Sequence, residues 1–144
     1  MTYLQRKLRD CGPAAIAEAS GKPYESVKAA MRWPDKDDVR DDLCDSPASH
    51  VIALQRLGVP YRVVTCGMIL RGERQDNRTV ILVHGDGTIG AWMAQHWVVL
   101  AYVRQIQGVV HVGLHWGDGT IHQYNSDKFQ ERYSAGGPTS TRIS

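Results

Sequence analysis

A cysteine and a glutamine near the amino terminus have the spacing of a thiol nucleophile and the amide that assists it. Gln5 lies six residues before Cys11, and Cys11 lies just before a predicted helix that starts at Pro13. The thiolate is the reactive form of cysteine, and the free N–H groups and dipole at a helix start favour it. In acyl transfer, the Cys11 backbone N–H and the Gln5 side-chain amide would donate to the developing oxyanion. Gly12 leaves room for a substrate beside the sulfur.

A thiol nucleophile also needs a base, and His96 is the best candidate. It opens the segment 96–103, which is almost entirely apolar and is therefore predicted to be a core strand. The first residue of such a strand lies at the rim of the sheet, where a cleft would form. His96 would take the proton from Cys11 and later give it to the leaving group.

A third group is expected to orient the His96 ring. Folding the hairpin that follows His96 puts His115 and Trp116 opposite it, with Asp118 just beyond. We favour Asp118, because a carboxylate stabilises an imidazolium and a second histidine does not. His115 and Asn125 remain the alternatives.

These stretches resemble the papain-like cysteine peptidases, and most closely the bacterial branch that cleaves leader peptides after a double glycine. The resemblance is carried by Gln5, by the segment Asp10-Cys11-Gly12-Pro13-Ala14 and by the histidine strand 96–100. It also includes the order of the elements, with helices first and a sheet after them. It spans roughly residues 5–133, although most positions between the motifs are not diagnostic.

The resemblance implies a papain-like fold and hydrolysis of a peptide or isopeptide bond through a thioester. Cys11 would be the nucleophile, His96 the base and Gln5 the oxyanion donor. The chain departs from the family pattern after the histidine strand, where the family has Asp or Asn, often followed by Pro. No Asp-Pro pair occurs in this chain.

Two other functions remain open. The same thiol and base can carry out deamidation or acyl transfer to an amine, since pocket shape selects the acceptor. The missing Asp-Pro pair instead favours a catalytically inactive papain-like domain that acts as a binding module.

Three tryptophans cluster near the proposed site in the sequence. Trp92, Trp97 and Trp116 are candidates to line a substrate groove together with Gly12, because aromatic side chains recognise extended peptides well. The competing interpretation is that they pack in the core or at its rim.

Length and composition narrow the class of protein. A chain of 144 residues suits one domain, and a formal net charge of +2 gives no reason to expect nucleic acid or membrane partners. Three cysteines do not make a disulfide framework and favour a reducing compartment. We expect a cytoplasmic bacterial or bacteriophage protein that acts on a peptide or protein substrate and needs no metal or other cofactor. Its oligomeric state is left open.

Hydrophobic periodicity and Gly and Pro positions predict the α+β class, with a buried helix on an antiparallel sheet. The expected domain is 1–133, followed by a flexible tail, 134–144. The predicted helices are 13–20, 24–33, one starting near 46, and a last one capped by Ser126; the predicted strands are 61–66, 79–83, 96–103, 109–116 and 120–124.

Overall fold

The computed structural model describes residues 11–31, 47–72, 78–84, 95–133 and 140–143. These residues form five helices and six strands. The helices are α1 (Cys11–Ser20), α2 (Tyr24–Met31), α3 (Pro47–Arg56), α4 (Cys66–Leu70) and α5 (Ser126–Arg132). The strands are β1 (Tyr61–Val63), β2 (Thr79–His84), β3 (Gln95–Ile106), β4 (Val109–His115), β5 (Ile121–Asn125) and β6 (Ser140–Ile143). The α+β class is thereby confirmed.

The six strands form one sheet in the order β1-β6-β2-β3-β4-β5, and every neighbouring pair is antiparallel. β3 is the longest strand, with 12 residues, and lies between β2 and β4. Its register against β4 shifts between Leu100 and Tyr102, which marks a β-bulge. Before the bulge, successive side chains of β3 point to opposite faces of the sheet.

Helices cover both faces of the sheet. On one face, Trp97 and Val99 of β3 pack in a cluster with residues of α1, α2 and α3. On the other face, Val98 and Leu100 pack in a second cluster with Ile69 of α4 and Phe129 of α5. A strand segment that is buried on both faces needs apolar side chains at nearly every position, and residues 97–103 of β3 have them.

Glycines and short polar side chains set the helix boundaries. α1 starts at Cys11, two residues earlier than predicted, and is followed by Gly21, whose φ of 72° favours glycine. The cap of α5 is Asn125, whose side chain accepts from the Lys128 N–H at 2.9 Å, so the prediction of Ser126 as the cap was wrong.

The chain between β1 and β2 differs from the prediction. The strand expected to run to Cys66 ends at Val63, and α4 follows it. The Thr65 hydroxyl accepts from the Met68 N–H at 3.2 Å and caps this helix. Sequence periodicity missed α4 because five residues are too short to show a helical repeat.

The prediction that residues 134–144 form a flexible tail was wrong for residues 140–143, which form β6. β6 inserts between β1 and β2, where Thr141 pairs with Val80 on one side and Val63 on the other. Ser140, Thr141 and Ile143 are buried. The carboxyl end therefore completes the sheet, and without it β1 would have no strand partner among the described residues.

β6 also supplies the partner of a fully buried histidine. His50 of α3 is 0% exposed, and its Nε2 lies 2.8 Å from the Thr141 hydroxyl. Its ring stands edge-on to Trp97, with 4.6 Å between ring centroids. Among the described residues, His50 Nδ1 and Trp97 Nε1 are buried without a hydrogen-bond partner. Burial lowers the pKa of His50 from 6.5 to about 3.

Replacing Ile143 and Ile121 in turn by alanine tests the role of β6. Ile143 is 3% exposed and Ile121 is 49% exposed, so the same chemical change is made in the core and on the surface. We expect Ile143→Ala to lower the free energy of unfolding by about 2–5 kcal/mol and Ile121→Ala by less than about 1 kcal/mol. Urea denaturation measures both. Equal effects would mean that the carboxyl end is not part of the core.

The neutral state of His50 predicts a loss of stability in acid. The folded protein holds His50 uncharged down to pH 3, whereas the unfolded chain takes up the proton below pH 6.5. This group alone then lowers the free energy of unfolding by about 1.4 kcal/mol for each pH unit between those values. We expect His50→Leu to remove that part of the pH dependence in urea denaturation. An unchanged slope would show that His50 is protonated in the folded protein.

Candidate functional site

The candidate nucleophile lies at the start of α1. Cys11 is the first residue of this ten-residue helix, is 9% exposed and belongs to the same apolar cluster as Leu82 and Trp97. The thiol is not in a disulfide. It lies in the first turn of α1, where backbone N–H groups have no partner within the helix.

α1 packs against the first half of β3. Glu18, late in α1, is close enough to raise the pKa of His115, against the larger lowering caused by burial, and His115 pairs with Val99. Cys11 lies about 10 Å before Glu18 along the helix axis. The β3 residues that share a cluster with α1 are Trp97 and Val99, both in the first half of the strand. Cys11 belongs to this cluster and therefore lies in the layer that covers the first half of β3.

The candidate base is buried at this end of β3. His96 is the second residue of the strand, pairs with Val83 of β2 and is 3% exposed. Its Nε2 lies 2.5 Å from the carbonyl oxygen of Trp116. A carbonyl can only accept, so Nε2 carries a proton and donates it. The neutral ring then has its lone pair on Nδ1, which is the atom that could accept a proton.

Aromatic rings enclose the His96 imidazole on one side. The Trp116 ring lies 4.8 Å from the His96 ring between centroids, tilted by 44°. The His122 ring stacks on the Trp116 ring, with 4.1 Å between centroids and an interplanar angle of 4°. The Trp116 side chain therefore contacts two imidazoles, and its backbone carbonyl accepts a hydrogen bond from the first of them.

Burial and nearby charges compete over the pKa of His96. Burial is the largest influence and lowers the pKa below 6.5. The hydrogen bond to the Trp116 carbonyl and the charge of Asp118 both raise it, and His122 lowers it slightly. The net lowering keeps His96 neutral near pH 7, which is the state that a general base requires.

Asp118 acts on His96 through its charge and is not its hydrogen-bond partner. Its carboxylate accepts from the Thr120 N–H at 3.0 Å and from the Thr120 hydroxyl at 2.5 Å. Gly117 and Gly119, with φ of 100° and 89°, make the tight turn that holds this arrangement. Where sequence reasoning expected the Asp118 carboxylate, the structure has the Trp116 carbonyl.

The two central side chains lie on opposite faces of the sheet. Cys11 belongs to the face of Trp97 and Val99, whereas His96 alternates with Trp97 and contacts Trp116 on the other face. His115, the alternative orienting residue, lies on the face of α1 rather than that of His96. The site as predicted is thus divided between the two layers at the start of β3.

The other predicted site residues have different outcomes. Gln5 and Trp92 lie outside the described residues. Gly12 is buried within α1, and Trp97 is only 2% exposed, so Trp97 is a core residue and does not line a surface groove. Asn125, the weaker alternative for orienting His96, is engaged as the cap of α5.

Sequence reasoning missed the role of the Trp116 backbone and the stacked His122. A carbonyl leaves no signal in the sequence, because every residue has one. His122 is two residues from Tyr124 on β5, and this spacing on one face was the only available hint. In the described parts of the chain, no group of three or more His, Cys, Asp or Glu residues could hold a metal ion. None of the described helices is long and apolar enough to cross a membrane.

Comparison with protein-family models and with curated proteins finds no match for this sequence.

Changing Asp118 tests the electrostatics of His96. Asp118→Asn removes a charge that raises the pKa of His96, while the amide oxygen can still accept from Thr120. We expect the pKa of His96 to fall further below 6.5, as measured by NMR titration of the ring nitrogens. Asp127→Asn on α5 is the matched control and should leave it unchanged. The same spectra should show the proton on Nε2; a proton on Nδ1 would contradict the hydrogen bond to Trp116.

Proposed function

We propose that the chain is a papain-like cysteine hydrolase of peptide or isopeptide bonds, with Cys11 as nucleophile and His96 as base. The observation that carries this proposal is the state of His96. It is a buried, neutral imidazole whose Nε2–H is held by the Trp116 carbonyl and whose Nδ1 has the lone pair. The cysteine-bearing helix packs in the same cluster as Trp97, the residue that follows His96 in β3.

The reaction follows from these two groups. Nδ1 of His96 takes the thiol proton, and Sγ of Cys11 attacks the carbonyl carbon of the substrate. Collapse of the tetrahedral intermediate breaks the carbon–nitrogen bond, and His96 returns the proton to the leaving amine. Water then attacks the thioester with His96 as base, which releases the acid and restores the thiol. The Cys11 backbone N–H, at the start of α1, donates to the oxyanion.

The surroundings of His96 suit both of its protonation states. Burial favours the neutral base before the reaction, and the Trp116 carbonyl and the Asp118 charge stabilise the imidazolium that forms during it. In the family that the sequence resembles, an Asp or Asn side chain orients the histidine and stabilises its imidazolium. Here the Trp116 carbonyl and, at longer range, the Asp118 carboxylate would share the stabilisation of the imidazolium.

Catalysis requires Sγ of Cys11 and Nδ1 of His96 to come within hydrogen-bond reach. Because the two side chains start from opposite faces, they can meet only around the first residues of β3. The His96 ring must swing past the strand end, or the amino end of α1 must shift. Substrate binding at this end of the sheet is the event that would drive either movement.

The opposite placement of Cys11 and His96 favours one alternative function. In a catalytically inactive binding module, His96 and Trp116 would serve only to pack the sheet against α5, and Cys11 would be a core thiol. Deamidation and acyl transfer use the same two residues and differ from hydrolysis only in the substrate or the acceptor. The reactivity of the Cys11 thiol therefore distinguishes an inactive binding module from an enzyme. A panel of substrates distinguishes hydrolysis, deamidation and acyl transfer from one another.

Alkylation by iodoacetamide tests the proposed thiol. Cys66 is a built-in reference, because it is half-buried and burial raises its pKa. We expect Cys11 to be alkylated faster than Cys66 near pH 7 despite its lower exposure. We expect His96→Gln to lower the alkylation rate of Cys11 by about tenfold or more. Peptide mapping by mass spectrometry measures both rates in the same sample. If His96→Gln leaves the Cys11 rate unchanged, the binding module is the better description.

A substrate panel then tests turnover. Peptides, glutamine-containing peptides and an isopeptide-linked ubiquitin-like protein cover hydrolysis and deamidation. Peptides with an added amine cover acyl transfer. We expect Cys11→Ala to abolish turnover, by a factor of about a thousand or more, with the fold intact by circular dichroism. Turnover that persists in Cys11→Ala would exclude the thioester.

A further inference from the structure

His122 lies on the same face of the sheet as His96. It is the second residue of β5 and is opposite Leu114 of β4. Leu114 packs in a cluster with Val98, which alternates with Trp97 and so points to the face of His96. Side chains at opposite positions of neighbouring strands share a face, so the His122 ring is on the side of α4 and α5. It is half-buried there.

The Trp116 ring makes different contacts with the two imidazoles. It is parallel to the His122 ring, with 4.1 Å between centroids and an angle of 4°, but it is tilted by 44° from the His96 ring at 4.8 Å. Aromatic rings in contact stabilise each other beyond the apolar area that they bury. The His122 ring has a neighbour of its own in Tyr124, whose hydroxyl lies 3.5 Å from Nδ1. β5 therefore supplies the surface against which the Trp116 ring packs.

The backbone at Trp116 needs such an anchor, because it lies at the beginning of a glycine turn. β4 ends at His115, and the Trp116 N–H donates to the Thr120 carbonyl at 3.1 Å. This bond holds the nitrogen side of the residue. The Trp116 carbonyl belongs to the peptide that joins it to Gly117, whose φ of 100° is accessible mainly to glycine. Because glycine allows many orientations of that peptide, the direction of the carbonyl depends on how the rest of Trp116 is held.

We propose that His122 is a positioning residue for His96. By stacking on the Trp116 ring, it keeps the Trp116 carbonyl in place to accept from Nε2–H of His96. The proton then stays on Nε2 and the lone pair on Nδ1, which is the atom that takes the thiol proton in the proposed reaction. This catalytic consequence rests on the proposed function, whereas the positioning belongs to the protein without substrate.

His122 also acts on His96 through its charge, and two replacements separate the two effects. The charge of His122 lowers the pKa of His96, while the Trp116 carbonyl and the charge of Asp118 raise it. His122→Phe and His122→Ala both remove the charge of His122, but only His122→Phe keeps a flat ring on Trp116. A difference between these two variants therefore reports the stacking alone.

NMR of the unliganded chain measures the effect at His96 in two ways, through the exchange rate of the Nε2 proton with water and through the titration of the ring nitrogens. Circular dichroism checks that each variant is folded. His111→Ala is the matched control, because His111 is also a half-buried strand histidine. His111 is three residues before Leu114 in β4, so its side chain is on the opposite face from His122.

We expect the Nε2 proton of His96 to exchange about two- to tenfold faster in His122→Ala than in the wild type, and at nearly the wild-type rate in His122→Phe. The pKa of His96 should be lower in His122→Ala than in His122→Phe, because the Trp116 carbonyl raises it only while the hydrogen bond is held. Equal exchange rates and equal pKa values in these two variants would overturn the proposal, and so would the same changes in His111→Ala.

These measurements involve neither a substrate nor the Cys11 thiol. If His122→Ala and His122→Phe behave alike, the positioning role fails and the proposed hydrolysis still stands. If Cys11 is unreactive while the two variants differ, the proposed hydrolysis fails and His122 still positions His96.

Discussion

Burial of β3 on both faces is the constraint on which the rest of the structure depends. A strand in the middle of a sheet assigns each side chain to one face or the other by simple alternation. In β3 this rule gives Trp97 and Val99 to the layer of α1 to α3, and His96, Val98 and Leu100 to the layer of α4 and α5. Each of these β3 side chains therefore belongs to one of two separate apolar clusters. Because Cys11 is a residue of α1, it belongs to the cluster of Trp97 and Val99.

The end of β4 explains why a backbone carbonyl is the partner of His96. The register between β3 and β4 changes at Leu100, so that Val99 lies opposite His115. Continuing this register by three residues would place His96 opposite Asp118. β4 ends before that point, at His115, and the chain turns so that the Trp116 N–H donates to Thr120 while its carbonyl accepts from His96. The end of the strand thus leaves a backbone carbonyl where an ordinary ladder would have a side chain.

The sequence predicted the elements that are marked by hydrophobic periodicity and by glycine or proline at their ends. The class, the helices ending at Gly21 and near Gly58, and the long hairpin of β3 and β4 all follow from local patterns. β6 was missed because three of its four residues are small or polar and only Ile143 is apolar. Such a segment becomes a strand only because β1 and β2 supply partners on both sides. Contacts made by distant parts of the chain decide such cases, and local composition does not reveal them.

The sequence predicted which residues are candidates for the site but not how they are placed relative to one another. Which face of β3 receives α1 leaves no trace in the sequence, because both faces of a doubly buried strand are apolar and the alternation that marks an interior face disappears. Cys11 and His96 are therefore recognisable by type and spacing, but their placement on opposite faces is not. The same limit applies to Trp97, whose closeness to His96 in the sequence suggested a groove and whose side chain is instead directed into the core.

Among the described residues, His50 and His96 are buried imidazoles near β3, and their surroundings decide which of them can serve as a base. One ring nitrogen of His50 is hydrogen-bonded to the Thr141 hydroxyl. Burial lowers the pKa of His50. Among the described residues no charge or hydrogen bond offsets this lowering, so His50 stays neutral down to about pH 3 in the folded protein. His96 is also lowered by burial, yet the Trp116 carbonyl and the Asp118 charge both favour its charged form. A general base must accept a proton and keep it for one step, and of these two buried histidines only His96 has groups that stabilise it in that state.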